Sequence, residues 1–326
     1  MIYIHSPETD AYFNMAFEEY VFTAMPKTHE YFLLWQNEKA VVVGKFQNTI
    51  EEIHADVVRE RSIQVVRRLT GGGAMYQDLG NVNFSFVVDQ RAETGFDLFT
   101  EPVARALRSL GVPAQINGRN DIEIEGRKFS GNSQCHRNGR TLHHGTLLYD
   151  SDLSMVAQAL QVKPDKIQSK GIKSVRSRVT NISDYIGEEI TVEQFKQSLR
   201  NSMFASHPLT EYQLTPADLQ QIQKLRDEKY ATWEWNYGSS PNYEIRKERR
   251  YPYGGLILEM TVKDSRIAAL SLHGDYFGDR DSSELAQQLI GLPPESDALR
   301  ARLTSIKLGD YIRGMTIEEL IEAITA

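Results

Sequence analysis

The stretch Ile63-Gln64-Val65-Val66-Arg67-Arg68-Leu69-Thr70-Gly71-Gly72-Gly73-Ala74-Met75-Tyr76-Gln77-Asp78-Leu79-Gly80-Asn81 decides how this chain is read. Ile63 to Val66 is a short apolar run with β-branched residues, which predicts a strand. Beyond the stretch, Val82, Phe84, Phe86 and Val88 alternate onto one face of a second predicted strand. Three adjacent glycines remove every Cβ from the connection, so positive φ and close approach of a ligand to the main chain are allowed. Successive N–H groups in such a loop form an anion-binding concavity, and Arg67 and Arg68 add fixed positive charge. A bare glycine triplet is equally a flexible hairpin connection. The arginine pair, the Thr70 hydroxyl and the flanking strands favour a site for a phosphate or carboxylate. Neither a P-loop nor a dinucleotide fingerprint fits, because no Gly-Lys-Ser/Thr follows and a strand rather than a helix comes next.

Working outward, Met1–His5 reads as a strand and Asp10–Met25 as a helix, with Phe13, Phe17 and Tyr20 inward and Glu18 and Glu19 outward. Residues 31–35 and 40–44 read as strands. Thr49 with Glu52 has the form of a capping box for a helix to about Arg61. A helix over Phe99–Leu110 ends at Gly111. Residues 122–129 read as a hairpin about Glu125-Gly126, and Thr141–Tyr149 as another strand. Further helices are expected from Asp152 to Leu160, from Thr191 (with Phe195, Leu199 and Met203 as its apolar stripe) and from Pro216. Trp233-Glu234-Trp235-Asn236-Tyr237 reads as an aromatic core knot, and Gly238–Asn242 has linker composition. Two strands and three helices follow. These divisions predict a catalytic domain over 1–240, a linker over 241–249 and a C-terminal accessory domain over 250–326.

The 326 residues are 40% hydrophobic and 25% charged, ordinary for a globular chain with a substantial core. A formal charge of −7 gives no general attraction to nucleic acid. The single cysteine, Cys135, rules out an intramolecular disulfide and suits a reducing compartment. No stretch approaches the roughly 18 apolar residues of a membrane span, and the N-terminus lacks signal-peptide form. A cytoplasmic protein without membrane or nucleic-acid partners is expected.

Lys128, within Gly126-Arg127-Lys128-Phe129-Ser130-Gly131-Asn132-Ser133, is surrounded by small residues that leave room for a ligand. A strand lysine is more often a solvated edge residue. Its ammonium could instead bridge a carboxylate and an α-phosphate and offset charge in their transition state. Asn120 and Asp121 offer oxygens of the kind Mg²⁺ prefers, or simply form a turn. His143 and His144 fall on opposite faces of a strand, and His144 is the better candidate for a pocket, although a satisfied structural histidine is the commoner case. A lone cysteine is more often inert than nucleophilic. The basic run Lys170–Arg178 reads either as a solvated loop or as one that closes over phosphates or docks an acidic partner.

The segment Arg67-Arg68-x-Thr70-Gly71-Gly72-Gly73-Ala74-Met75-Tyr76-x-Asp78-Leu79-Gly80-Asn81 resembles the lipoate-binding motif of the lipoate–protein ligase A family. Supporting blocks follow in order: Asn14–Glu19, Val43–Asn48, Gly118–Asp121, Arg127–Gly131, His143–Leu147, Lys170–Asn181 and Trp233–Gly238. The resemblance implies an α/β (α+β) class II biotin/lipoyl-ligase-like catalytic domain, with mixed sheets, surrounding helices and a small α/β accessory domain. It implies that lipoate attacks ATP to give lipoyl-AMP, after which a lysine of a lipoyl-domain acceptor (a 2-oxoacid dehydrogenase E2 subunit or glycine cleavage H protein) takes the lipoyl group. By position it implies Lys128 as the lysine on both carboxylate and phosphate. Arg68 and Gly73, Ala74, Met75 and Tyr76 become adenylate contacts, and Asn120 and Asp121 serve phosphates and Mg²⁺. Arg68, Thr70, Gly71, Gly72, Gly73, Lys128 and His144 become lipoate contacts. Gln77 stands where many relatives carry His. Rivals are an octanoyl or lipoyl transferase working through a cysteine thioester, against which Thr141 occupies the usual cysteine position, and a non-catalytic lipoate or adenylate binder.

Overall fold

A computed structural model of the chain describes residues 1–49, 52–90, 95–117, 120–160, 179–187, 190–205, 209–237, 245–263 and 266–325. Gly118-Arg119, the basic run Lys170–Arg178 and the linker Gly238–Asn242 lie outside the described residues. The chain forms two compact units. The first comprises Met1–Val42, Ile50–Arg67 and Met75–Asn236; the second comprises Val43–Thr49, Arg68–Ala74 and Tyr237–Ala326.

The first unit is built on a mixed seven-stranded sheet. Its strands are β1 (Ile2–His5), β2 (Tyr31–Trp35), β6 (Asn81–Asp89), β7 (Gln115–Asn117), β8 (Asp121–Ile124), β9 (Arg127–Arg137) and β10 (Arg140–Leu148), in the spatial order β1-β2-β6-β10-β9-β8-β7. Only β1 and β2 pair in parallel; the other pairings are antiparallel. A separate three-stranded sheet has the order β4-β3-β5, with β3 at Lys39–Val43, β4 at Gln64–Arg67 and β5 at Met75–Asp78. The glycine segment therefore leads first into β5, an unforeseen strand, and β6 starts after the turn at Leu79-Gly80. Gly80 has to be small there, since a Cβ on it would lie 1.9 Å from the Asp150 carbonyl oxygen.

As the alternation predicts, Val82, Phe84, Phe86 and Val88 share one face of β6. They form a buried core with Phe32, Leu34 and Leu147 against helix α3 (Asp97–Ser109) and the helix Val192–Met203. Each fully buried aromatic or aliphatic side chain of this kind contributes roughly 1.5–3 kcal/mol. The other face is buried too, and is polar. Register sets Asn83 beside Trp35 and Thr146, and Ser85 beside Leu33 and His144.

Helix α1 (Ala11–Thr23) covers part of that polar face. Asp10 caps it, accepting the N–H groups of Tyr12 and Phe13 at 2.7 and 3.0 Å. Its burial corrects the expected amphipathic reading, because residues 13–19 are all buried and Glu18 and Glu19 point inward. Two other expectations are also corrected. Helix α2 spans only Ala55–Glu60, with no side-chain cap; Ile53 bridges Leu160 instead of joining a helix begun at Thr49. Trp233 is 53% exposed, so the aromatic run is no core knot. Trp235 instead donates its Nε1–H to the Arg67 carbonyl at 2.9 Å. By contrast, the hairpin at Glu125-Gly126 forms as predicted, with both residues at positive φ, 51° and 74°.

The second unit carries β11 (Ile245–Tyr251), β12 (Gly254–Lys263) and β13 (Arg266–Gly274) as an antiparallel sheet. Leu256, Leu258, Met260, Leu270 and Leu272 join Leu299, Leu303, Leu320 and Ile324 of its helices in one core. Phe46 belongs to the same core, stacked on Tyr276 at 5.0 Å. Its carbonyl accepts the Gly274 N–H at 2.7 Å.

Pro216 opens the helix Pro216–Leu225, capped by Thr215 and Asp218 in a capping box. Burial alone would raise the Asp218 carboxyl, but hydrogen bonds from Tyr20, Thr215 and Tyr212 outweigh it and hold the group at about 2. A carboxyl depressed from an ordinary 3.8 adds stability that is full above about pH 5 and lost as pH falls toward 2. Asp218→Asn is expected to cost about 1–2 kcal/mol near neutrality. In urea titrations across pH, its gap to the parent chain should narrow below about pH 5 and close only as pH reaches about 2.

Candidate active site

Lys128 stands on β9 at a register shift. Ile122 pairs with Ser130 while Glu123 pairs with Lys128, which leaves Phe129 as the extra residue of a bulge. The Lys128 ammonium lies 2.7 Å from Asp121 Oδ1; the two side chains are 37% and 22% exposed. The main chain of Lys128 is held from outside the sheet as well, its carbonyl accepting the Thr180 N–H at 3.0 Å. Beside this pair lie Gly131 and the Met75 methyl. Asn120 is committed to the fold: its Nδ2 donates to the Asn132 carbonyl at 3.0 Å, and its own carbonyl accepts from Asn132. Thus Lys128, Asp121 and Met75, separate in the sequence, come together.

His143 and His144 do divide between faces. His143 is wholly buried, stacked on Phe99 at 4.5 Å and edge-on to Phe96. Burial pushes it far below the ordinary histidine range, so it stays neutral. His144 opens toward the polar face. Its Nδ1 lies 2.8 Å from Glu18 Oε1, which also accepts the Ser85 hydroxyl at 2.6 Å. Trp35 Nε1–H donates to that hydroxyl at 3.2 Å. The contact to Glu18 fixes the orientation of the His144 imidazole on this face. A second buried chain runs from Ser6 through Asn14, Asn37 and Gln77 to Asn83 and Asn81, with contacts of 2.5–3.1 Å. Gln77 is therefore a link in a carboxamide ladder that locks β5 to β6. Reading the sequence missed Glu18, Ser85 and Trp35. The signal available was the pair of acids in a helix with apolar residues all round.

The glycine segment belongs to the second unit. Gly72 has φ of 89°, the left-handed conformation that favours glycine, whereas no positive φ occurs at Gly71 or Gly73. Gly71 is needed for space, since a Cβ there would lie 2.3 Å from the Tyr276 carbonyl oxygen. Gly44 is needed likewise, 2.0 Å from the Gly72 carbonyl oxygen by the same construction. Arg68 is buried and folds back into the loop. Its Nε donates to Thr70 Oγ1 at 3.1 Å, and its Nη2 to the Gly71 and Gly73 carbonyls at 2.6 and 2.9 Å. The Gly72 N–H donates to the Tyr276 carbonyl at 3.3 Å. Arg67 belongs to the first unit. Its Nε and Nη2 donate to the Trp235 and Asn236 carbonyls. Ala74 is half-buried; Tyr76 is buried on β5 opposite Val41, its hydroxyl pushed up to about 12 by burial and by Asp78 and Asp152.

No group of three or more His, Cys, Asp or Glu side chains among the described residues could hold a metal ion. One carboxylate beside Lys128, from Asp121, fits a Mg²⁺ carried mainly by nucleotide phosphates. No helix among the described residues is long and apolar enough to cross a membrane.

Residues 10–204 match the lipoyl protein ligase A/B catalytic domain, and residues 240–324 match the bacterial lipoate protein ligase C-terminus. The lipoate-protein ligase LplJ of Bacillus subtilis is 42% identical over 320 residues, 97% of each chain. The fold is shared with LipL1 of P. falciparum, solved in complex with lipoate (TM-score 0.80, 20% identity, 99% and 98% of the two chains). A bipartite lipoate protein ligase of Thermoplasma acidophilum, from a structural analysis of that archaeal lipoylation system which also covers its E2 lipoyl domain, has a TM-score of 0.65 at 28% identity, covering 75% of this chain and 98% of its own. A lipoate-protein ligase A bound with ATP has a TM-score of 0.63 at 26% identity, covering 73% and 97%.

Because Arg68 alone supplies three donors to the loop, Arg68→Ala leaves two carbonyls and a hydroxyl without them. Chemical denaturation should show a loss of roughly 2–3 kcal/mol, and Arg68→Lys, lacking the guanidinium fork, should recover less than half of it.

Proposed function

The chain belongs to the lipoate–protein ligase family, and on that premise we propose that it attaches lipoate to acceptor proteins in two ATP-dependent half-reactions. In the first, a lipoate carboxylate oxygen attacks the α-phosphorus of ATP. The P–O bond to the β-phosphate breaks, and lipoyl-AMP and pyrophosphate form. In the second, the amine of an acceptor lysine attacks the acyl carbon, AMP leaves, and the amine gives up its proton as the amide forms. The acceptors are lipoyl domains, such as those of 2-oxoacid dehydrogenase E2 subunits or the glycine cleavage H protein. Both nucleophiles come from substrates, so the protein needs no serine or cysteine nucleophile.

The observation that carries this reading is the Lys128 ammonium, partly exposed and already holding a carboxylate at 2.7 Å. In the reaction that ammonium takes the lipoate carboxylate and then the charge that builds on the α-phosphate. Arg68 and the run Gly73-Ala74-Met75-Tyr76 serve the nucleotide, and Thr70, Gly71, Gly72 and His144 serve lipoate. Mg²⁺ bound with ATP, with Asp121 as the carboxylate available to it, offsets phosphate charge. Apolar strand residues burying the lipoyl chain would contribute roughly 0.8 kcal/mol per CH₂.

A cysteine-thioester transferase finds little support. Thr141, in the expected cysteine position, is buried with its hydroxyl 2.9 Å from His136 Nδ1. Cys135 is buried on β9 opposite Leu142.

Lys128→Ala should fold normally yet release no pyrophosphate from lipoate and ATP-Mg; undiminished release would refute the assignment. Cys135→Ser should lipoylate a purified lipoyl domain, followed by its mass, at the parent rate within about twofold. Loss of turnover with the fold intact would revive the thioester route.

A further inference from the structure

Lys128 does not stand upright from its strand but lies back along β9, across Gly131. A Cβ built on Gly131 would fall 2.9 Å from Lys128 Nζ and 3.0 Å from Cε, with Met75 Cε next at 3.9 Å. Gly131 is also the cross-strand partner of Asp121, the residue that receives the ammonium. Three features converge on one spot: the bulge at Phe129 that redirects the strand, the bare Cα of Gly131 beneath the ammonium, and the Asp121 carboxylate beyond it.

Gly131 is not glycine for backbone reasons. It is absent from the positive-φ residues, so an L-residue can adopt its conformation without strain. Nor is it pressed by main chain, as Gly44 and Gly80 are. The groups a methyl would meet first are the far end of one flexible side chain. A substitution here therefore displaces the ammonium and leaves the sheet in place.

We propose that Gly131 is a positioning residue, its missing side chain setting where the Lys128 ammonium rests so that one carboxylate, from Asp121 or from the acid substrate, is met end-on. This rests on Lys128 being the lysine of adenylate formation. A shift of about 1 Å in such a group costs on the order of a hundredfold in rate, and the contact above requires about half of that shift.

The test is Gly131→Ala in the parent chain and in Lys128→Ala, with pyrophosphate release from lipoate and ATP-Mg, lipoate titration by calorimetry, and thermal unfolding. In the parent chain, Gly131→Ala should lower kcat about tenfold, weaken lipoate binding and move the midpoint by less than about 2 °C. In the Lys128→Ala chain the same methyl should leave lipoate affinity unchanged, since there is no ammonium to displace. Unaltered kinetics in Gly131→Ala overturn the inference. So does an equal loss of lipoate affinity in both backgrounds, or a collapsed fold, because either makes the role structural. Full pyrophosphate release by Lys128→Ala alone removes the functional reading and this inference with it. Loss there beside an unaffected Gly131→Ala removes only the inference.

Discussion

A helix buried on nearly every side can hold carboxylates only if its neighbours supply donors, and much of the first unit satisfies that constraint for α1. Glu18, 1% exposed, receives His144 and Ser85. Glu19 receives the Lys229 ammonium and the Tyr230 hydroxyl, both at 2.6 Å. Asn14 is tied through Asn37 to Gln77 and β6. An unpaired carboxylate in such a place would cost several kcal/mol. The donors are accordingly spread over α1's neighbours, on the sheet and on the segment after Pro216. One face of the seven-stranded sheet is thereby made polar while the other stays aromatic.

The proposed site rests on that asymmetry. The aromatic face packs α3 and neutralises His143 by burial. Donors and acceptors in fixed orientation line the polar face. Lys128 adds an ammonium on a four-carbon stem, beside a bulge and a glycine.

The sequence disclosed these features unevenly. Alternation in Val82–Val88 and the Glu125-Gly126 turn are local patterns, and both formed as read. The glycine run was visible as a special segment, but its contacts were not. That Gly71 abuts Tyr276, more than two hundred residues later, is a tertiary fact with no local trace. Arg67 and Arg68 look alike in the sequence and part company in the fold, one capping carbonyls of Trp235 and Asn236 and the other bracing its own loop. Glu18 and Glu19 were misread because outward placement is the default for acids, and only the burial of α1 overrides it. Thr49 and Glu52 are both buried, and the helix expected to follow them starts only at Ala55.

The second unit is assembled from three separated pieces of chain, and its core includes Phe46 stacked on Tyr276. Heredity acts on such a module differently from one encoded in a single block. Recombination at a point near residue 237 would carry the C-terminal sheet into a new gene but leave Val43–Thr49 and Arg68–Ala74 behind. Those short inserts and the distant tail share one core, so a change at Tyr276 or Gly274 reaches Phe46 and Gly71 across more than two hundred residues of chain.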